Sequence, residues 1–146
     1  MRTETRMAPV AIVWVTLLAV TVVGCGGGEH TETPASPSYA ATLAEAQQQA
    51  TRETKRVVLL FYVVGAPAVK ALFEETVPHR GVRGFYERYV WVQVDINQEK
   101  AISRQYRIYV APTIVILEPP GQEVARYEKF IDGPEMADFL SQHVRR

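Results

Sequence analysis

The run from Val57 to Val64 constrains the fold of this chain more than any other feature, because it contains eight consecutive apolar residues. Half of them are valine, a β-branched residue that favours strands. A strand with one face in water would alternate apolar and polar residues, whereas a strand covered on both faces is apolar throughout. The run therefore predicts a central strand that is covered on both faces.

Helical and strand patterns alternate on either side of this run. Thr42-Leu43-Ala44-Glu45 forms a capping-box pattern, and the helix that it starts is expected to end near Lys55. A second capping pattern, Asp132-Gly133-Pro134-Glu135, starts the last helix. The remaining predicted elements are helices from Pro67 to about Val77, from Val82 to Arg88 and from Gln98 to Tyr106, and strands from Val90 to Ile96, from Thr113 to Leu117 and from Glu123 to Tyr127.

The order of these elements, α-β-α-β-α-β-β-α, is typical of an α/β protein. Strands joined by helices are expected to run parallel, and the turn Pro119-Pro120-Gly121-Gln122 to return the chain into an antiparallel strand. We therefore predict one domain, residues 39–146, built as a three-layer α/β/α sandwich with a central mixed sheet. The 16 basic and 16 acidic residues are interspersed, without a basic block, so nucleic acid is not an expected partner.

The N-terminal residues 1–24 have the pattern of a signal peptide. Arg2 and Arg6 precede an apolar run from Val10 to Val23, which would span about 21 Å as a helix and is short for a bilayer core of roughly 30 Å. The run ends in Val22-Val23-Gly24-Cys25, which resembles the lipobox of bacterial lipoproteins. The resemblance implies that Cys25, the only cysteine of the chain, carries a lipid after cleavage behind Gly24. The alternative is an incidental cysteine after an ordinary signal peptide.

Residues 25–38 are expected to form the lipidated cysteine and a flexible tether. The stretch is rich in Gly, Thr, Ser and Pro and has no apolar periodicity, and a flexible chain of this length reaches about 20 Å. The lipid on Cys25 would make the membrane one partner and place the protein in the cell envelope. Gly26 stands where an aspartate commonly signals inner-membrane retention, so in a Gram-negative cell the outer membrane, facing the periplasm, is favoured.

Two local patterns, together with the element order, resemble the thioredoxin-like superfamily. The first is the buried strand that runs into a helix with a lysine near its start, from Val57 to Lys70. The second is Val110-Ala111-Pro112-Thr113, which leads into the strand completed by Ile114 to Leu117. The closest branch is that of the C-terminal domain of the membrane thiol–disulfide interchange reductase, and the match covers Thr42 to His143. It implies a cis peptide bond at Pro112, beside the active site; the alternative is an ordinary trans proline at a strand start.

The same resemblance implies that the dithiol of this family is missing. Active members carry Trp-Cys-x-x-Cys-Lys where this chain has Gly65-Ala66-Pro67-Ala68-Val69-Lys70. Ala66 and Val69 occupy the two cysteine positions, and Leu60 occupies the position of the carboxylate that relays protons. Because exchange requires an attacking thiolate and a resolving thiol, we expect no catalytic residues and no enzyme activity.

No other site chemistry is predicted. His79 and His143 have no partner at metal-ligand spacing, so neither a metal nor another cofactor is expected. Most aromatic residues follow core-facing patterns. Tyr109 directly precedes the proline segment and could line a groove there. Asp95 closes a strand and is interpreted as structural.

The preferred hypothesis is a redox-inactive, lipid-anchored module that binds or scaffolds an envelope protein or peptide. Its groove would consist of Ala66, Pro67, Ala68 and Val69, with Gly65 before them, and of Val110, Ala111, Pro112 and Thr113. An extended peptide could pair with the proline loop through backbone hydrogen bonds, which requires no thiol. Two alternatives stay open: a thiol-redox protein that uses the cysteines of a partner, and an assembly factor for an envelope complex.

Overall fold

The computed structural model describes residues 35–146. The predicted signal peptide, Cys25 and the tether up to Pro34 lie outside the described residues. Within residues 35–146, no helix has the length and apolar character that crossing a membrane requires.

The described chain contains four strands and five α-helices, with two short helical turns of other types. The strands are β1 (Arg56–Tyr62), β2 (Tyr89–Asp95), β3 (Thr113–Glu118) and β4 (Gln122–Glu128). The α-helices are α1 (Leu43–Glu53), α2 (Pro67–Ala71), α3 (Arg80–Arg83), α4 (Lys100–Gln105) and α5 (Gly133–His143). A π-helical turn (Leu72–Thr76) extends α2, and a 3₁₀ turn (Tyr86–Arg88) precedes β2.

The four strands form one mixed sheet in the order β2-β1-β3-β4. β2 runs parallel to β1, while β3 is antiparallel to β1 and β4 is antiparallel to β3. The prediction that helix-joined strands are parallel is therefore right for β1 and β2 and wrong for β3. The reason is the length of α4, since its six residues span about 9 Å, whereas β2 spans about 23 Å. The chain consequently enters β3 from the end of the sheet where β2 finishes.

Helices cover both faces of the sheet, which confirms the predicted three-layer α/β/α sandwich. One face packs against α1, α4 and the residues after α4, and the other packs against α2 with its π-helical turn, α3 and α5. In β1, successive side chains enter the two cores alternately, and those from Val57 to Phe61 are fully buried. The strand ends at Tyr62, earlier than predicted, because the chain turns away from the sheet there and leaves Val64 73% exposed.

The capping residues explain where two helices begin. Thr42 accepts a hydrogen bond from the Glu45 amide at 3.1 Å, and the Glu45 carboxylate accepts one from the Ala41 amide at 3.2 Å. The Asp132 side chain does the same for the Glu135 amide at 2.8 Å. Both predicted caps are thus confirmed, and each supplies partners to amide groups that a helix start leaves free.

The segment before α1 packs along the outer edge of β2. The Ala40 amide donates to the Trp91 carbonyl at 2.9 Å, and Tyr39 forms a parallel bridge with Trp91. Further upstream, Pro37 is buried, and the Tyr86 hydroxyl lies 2.9 Å from the Ala35 carbonyl oxygen. Residues 35–38, which the sequence analysis assigns to the tether, therefore contact the folded domain, and the bounds of the tether stay a prediction.

Candidate functional site

The turn from β1 into α2 places the two positions of the expected dithiol. Gly65 has a φ of 86°, a left-handed conformation that glycine adopts readily, and nothing lies within 4 Å of an added Cβ there. Pro67 occupies the first turn of α2. The Ala66 carbonyl accepts hydrogen bonds from the amides of Val69 at 3.0 Å and Lys70 at 3.1 Å. Ala66 therefore lies directly before α2, and Val69 lies one turn further on.

The side chains at these positions provide no group for thiol exchange. Ala66 is half-buried, and Val69 is 6% exposed and packs into the domain. Leu60, at the position of the proton relay, is fully buried in β1. Since the single cysteine of the chain is Cys25, residues 35–146 contain neither an attacking thiolate nor a resolving thiol.

The Pro112 loop forms the second part of the candidate site. The Ala111–Pro112 peptide bond is cis, in agreement with the expectation for this bond. Pro112 and Thr113 are buried, and the Thr113 hydroxyl donates to the Val110 carbonyl at 2.8 Å. The residues before them face outward, with Tyr109 86% and Val110 52% exposed. Binding of a peptide by this loop stays a prediction.

Strand register brings the two parts to one end of the sheet. Thr113 pairs with Phe61 in β1 and with Glu128 in β4. The turn after β1, the loop before β3 and the residues after β4 therefore share this end. Four of the five large apolar side chains that are exposed among the described residues belong to these three segments, namely Val64, Tyr109, Val110 and Phe130.

A cleft of about 690 Å³ opens beside the turn into α2. Its floor and walls include three aromatic rings, those of Tyr39, Tyr62 and Phe73, and the side chain of Gln93 on β2. The rings of Tyr62 and Phe73 meet edge to face, with centroids 5.6 Å apart. The turn itself completes the cleft with Val64, Gly65, Ala66, Pro67 and Val69.

The cleft differs from the predicted groove in its second wall. It includes Gly65 to Pro67 and Val69, but residues 110–113 do not line it; its far wall is formed by the segment before α1 and by β2. Sequence reasoning assigned Tyr62 and Phe73 to packing only and gave Tyr39 and Gln93 no role. Gln93 did carry a signal, because it is the single polar residue in the otherwise apolar stretch from Val90 to Val94.

Charges at the mouth of the cleft balance each other. The Lys70 ammonium lies 3.8 Å from a Glu74 carboxylate oxygen, and both side chains are exposed, so this pair contributes little free energy. Deeper in the cleft, burial raises the pKa of the Tyr39 hydroxyl, an effect that a hydrogen bond with the Gln93 side chain partly offsets. The cleft interior is therefore uncharged at neutral pH.

The remaining polar residues considered from sequence have structural contacts. The His79 ring accepts a hydrogen bond from the Gly81 amide at 3.2 Å and caps α3. The His143 ring lies against the Phe139 ring. Asp95 is buried at the end of β2, and its carboxylate accepts a hydrogen bond from the Asn97 amide at 2.8 Å. Among residues 35–146, no group of three or more His, Cys, Asp or Glu side chains could hold a metal ion.

Comparison with known families fits this architecture. A family model described as a thioredoxin-like domain matches residues 43–143. The chain belongs to the thioredoxin-like family. The matched part extends from the first residue of α1 to the last residue of α5. No curated protein matches the chain.

Several solved structures are similar to the thioredoxin-like domain. A thioredoxin from Thermus thermophilus has a TM-score of 0.64 at 24% identity, covering 75% of this chain and 87% of that chain. A DsbH oxidoreductase has a TM-score of 0.65 at 15% identity, covering 81% and 93%. The oxidised DsbD C-terminal domain of Neisseria meningitidis has a TM-score of 0.60 at 19% identity, covering 73% and 97%. At these identities the similarity concerns the fold.

Proposed function

We propose that this protein is a membrane-anchored lipoprotein whose thioredoxin-like domain binds a protein or peptide in the cell envelope and performs no redox reaction. The lipid on Cys25 would supply the anchor and the domain the binding surface. The function is thus one of binding or scaffolding, on a fold shared with disulfide oxidoreductases.

One observation carries the proposal: apolar side chains are exposed at the end of the sheet where the dithiol is absent. Val64, Tyr109, Val110 and Phe130 belong to three separate segments that meet at this end. Grouped exposed apolar side chains mark contact surfaces in soluble domains. Because Ala66 and Val69 leave no reactive group among them, association with a partner is the role that the surface supports best.

Site-specific photo-crosslinking in intact cells tests this role. A photo-reactive amino acid at Val110 is expected to give a discrete adduct, because this side chain is 52% exposed beside Pro112. The same amino acid at Lys100, an exposed residue of α4, serves as the control and should give none. Val64→Asp should weaken the Val110 adduct, since a charge placed among apolar contacts must be desolvated when the partner binds.

Two results would contradict the proposal. Equal adducts from Val110 and Lys100 would show that the surface is not selective. Reduction of insulin disulfides by the purified full-length protein, above a blank without protein, would show that the protein performs a redox reaction by itself.

A further inference from the structure

Gln93 is the one exposed residue of β2, and β2 is an edge strand of the sheet. The residues on either side of it, Val92 and Val94, are buried in the core beneath α1. Since side chains alternate along a strand, Gln93 points to the other face with Tyr89 and Trp91. That face carries α2, so the Gln93 side chain lies in the aromatic cleft, in agreement with its place in the cleft wall.

The backbone amide and carbonyl of Gln93 point away from β1, toward the open edge of the sheet. The Ile96 amide donates to the Tyr62 carbonyl at 3.0 Å, so even-numbered residues of β2 bond to β1 and odd-numbered ones face the open edge. Two of the outward carbonyls are already satisfied: Trp91 by the Ala40 amide, and Asp95 by the Glu99 amide at 2.7 Å.

Between these two satisfied positions, Gln93 presents one amide donor and one carbonyl acceptor to solvent. Neither has a backbone partner among residues 35–146. An unpaired donor and acceptor on an edge strand form a template for another extended chain. The chain itself shows this mode of pairing two residues earlier on β2, where Ala40 bonds to Trp91.

A chain that pairs with Gln93 would also fill the cleft. Residues that lie opposite each other on paired strands project their side chains to the same face, and here that face carries Tyr39, Tyr62 and Phe73. The volume of about 690 Å³ falls in the range of ligand pockets and admits the largest side chains. Because the Lys70 and Glu74 charges at the mouth balance, the cleft selects apolar rather than charged groups.

We propose that Gln93 pairs with a single residue of an extended peptide segment, whose large apolar or aromatic side chain occupies the aromatic cleft. The inference rests on the proposed binding function and names the chemistry of the partner: an extended segment with a free amide, a free carbonyl and a bulky apolar side chain at the paired position. The peptide would contact the protein beside the Val64–Ala66 turn, on the side away from Pro112. This contact would add to the one proposed for the exposed apolar side chains.

A second copy of the chain fits this site less well. If two β2 edges paired around a twofold axis at this position, Gln93 would lie opposite Gln93 of the other copy. The cleft would then receive an amide side chain rather than an apolar one, and its three rings would stay exposed.

The test uses full-length protein in detergent micelles and a blocked, dye-labelled peptide, acetyl-Ser-Thr-Trp-Thr-Ser-amide, with binding followed by fluorescence anisotropy. Replacing the peptide tryptophan by alanine removes the side chain, and N-methylation of the tryptophan removes the amide that would donate to the Gln93 carbonyl. Each change is expected to weaken binding at least tenfold. Both controls alter only the peptide, so they leave the fold of the protein untouched.

Two measurements on the protein complete the test. Gln93→Pro removes the outward amide at an edge position, where proline is tolerated, and should weaken binding at least tenfold, whereas Gln105→Ala, at the exposed end of α4, should leave it unchanged. Exchange of the Gln93 amide with solvent, followed by NMR, should slow at least tenfold when the tryptophan peptide is added.

No binding of the tryptophan peptide, equal binding of its N-methylated form, or unchanged exchange at Gln93 would each overturn the inference. Protection of the Gln93 amide that rises with protein concentration and needs no peptide would assign the edge to a second copy and would also overturn it. If the peptide fails while the Val110 crosslink persists, the edge site is refuted and the proposed function stands.

Discussion

Gly133 begins α5 in direct contact with the ring of His79. A Cβ added at Gly133 would lie 2.2 Å from Cγ of His79 and 2.5 Å from its Cβ, closer than non-bonded carbon atoms approach. The His79 ring cannot move away freely, because it caps α3 by accepting the Gly81 amide. The contact therefore holds the starts of α3 and α5 together through one residue without a side chain.

Gly133→Ala should destabilise the domain by about 1–3 kcal/mol, the usual cost of overpacking. In a helix, glycine to alanine ordinarily stabilises, so the expected sign is the reverse of the intrinsic propensity. Gly84→Ala is the matched control, since its added Cβ would lie 3.8 Å from the nearest atom and its φ is −61°. Urea unfolding followed by circular dichroism measures both. A Gly133→Ala protein as stable as the Gly84→Ala protein would refute the contact.

The role of a residue in the site could be assigned from sequence where the family pattern fixed its position. It could not be assigned where the role depends on tertiary structure. Ala66 and Val69 could be assigned because the strand before them and Lys70 after them set the register of the pattern. Gln93 could not be assigned, because its importance depends on β2 being an edge strand and on the direction of its backbone groups. Neither property is encoded locally.

At the level of elements, the π-helical turn Leu72–Thr76 sets how the helix after β1 meets the β4–α5 connection. A π-helical turn accommodates one more residue than an α-helical turn and so shifts the residues after it around the helix axis. Within it, Thr76 is buried, and its hydroxyl donates to the Ile131 carbonyl at 2.7 Å. This bond joins segments that are far apart in sequence.

Thr76→Val removes this donor while keeping the shape of the side chain. The buried Ile131 carbonyl would lose its hydroxyl partner, and we expect the free energy of unfolding to fall by about 1–3 kcal/mol. Thr51→Val is the matched control, because Thr51 makes the equivalent bond to the Gln47 carbonyl on the exposed side of α1. Its effect should stay within about 0.5 kcal/mol. Equal midpoints of urea unfolding for the two variants would contradict the role of Thr76.

The elements show why local pattern predicts some features of a fold and not others. The apolar run in β1 and the caps of α1 and α5 are local signals, and the structure confirms them. The piece predicted from Val82 to Arg88 is instead α3 followed by a 3₁₀ turn, and α3 begins before Val82 because the His79 side chain caps it by accepting the Gly81 amide. The direction of β3 depends on the length of α4 relative to β2, which apolar periodicity does not predict.

At the level of the whole molecule, buried tyrosines link stability to alkaline pH. Burial raises the pKa values of Tyr39, Tyr86, Tyr89 and Tyr106. A hydrogen bond to the Glu135 carboxylate raises the pKa of Tyr127 to about 12. These groups stay protonated in the folded state at a pH where an unfolded tyrosine, with a pKa of about 10, already ionises.

The stabilisation that these tyrosines contribute should therefore be fully present below about pH 10. The free energy of unfolding should fall as the pH rises through their folded-state pKa values. Urea unfolding between pH 8 and pH 11.5 measures the decline. Tyr127→Phe removes one titrating group and should show a shallower decline, although the loss of its bond to Glu135 lowers stability at pH 8. A Tyr127→Phe protein with the same decline as the unaltered protein would contradict the assignment.

The segment upstream of α1 determines which end of the domain an anchor would hold. Upstream of Tyr39, which pairs with Trp91, Ser36 lines the cleft beside Val64 and Ala66, and the Ala35 carbonyl accepts a hydrogen bond from the Tyr86 hydroxyl. The exposed apolar side chains lie where β1 and β2 finish. A lipid upstream of Ala35 would then be joined to the domain beside this cleft, so that the tether, with a reach of about 20 Å, would set how far the cleft lies from the bilayer.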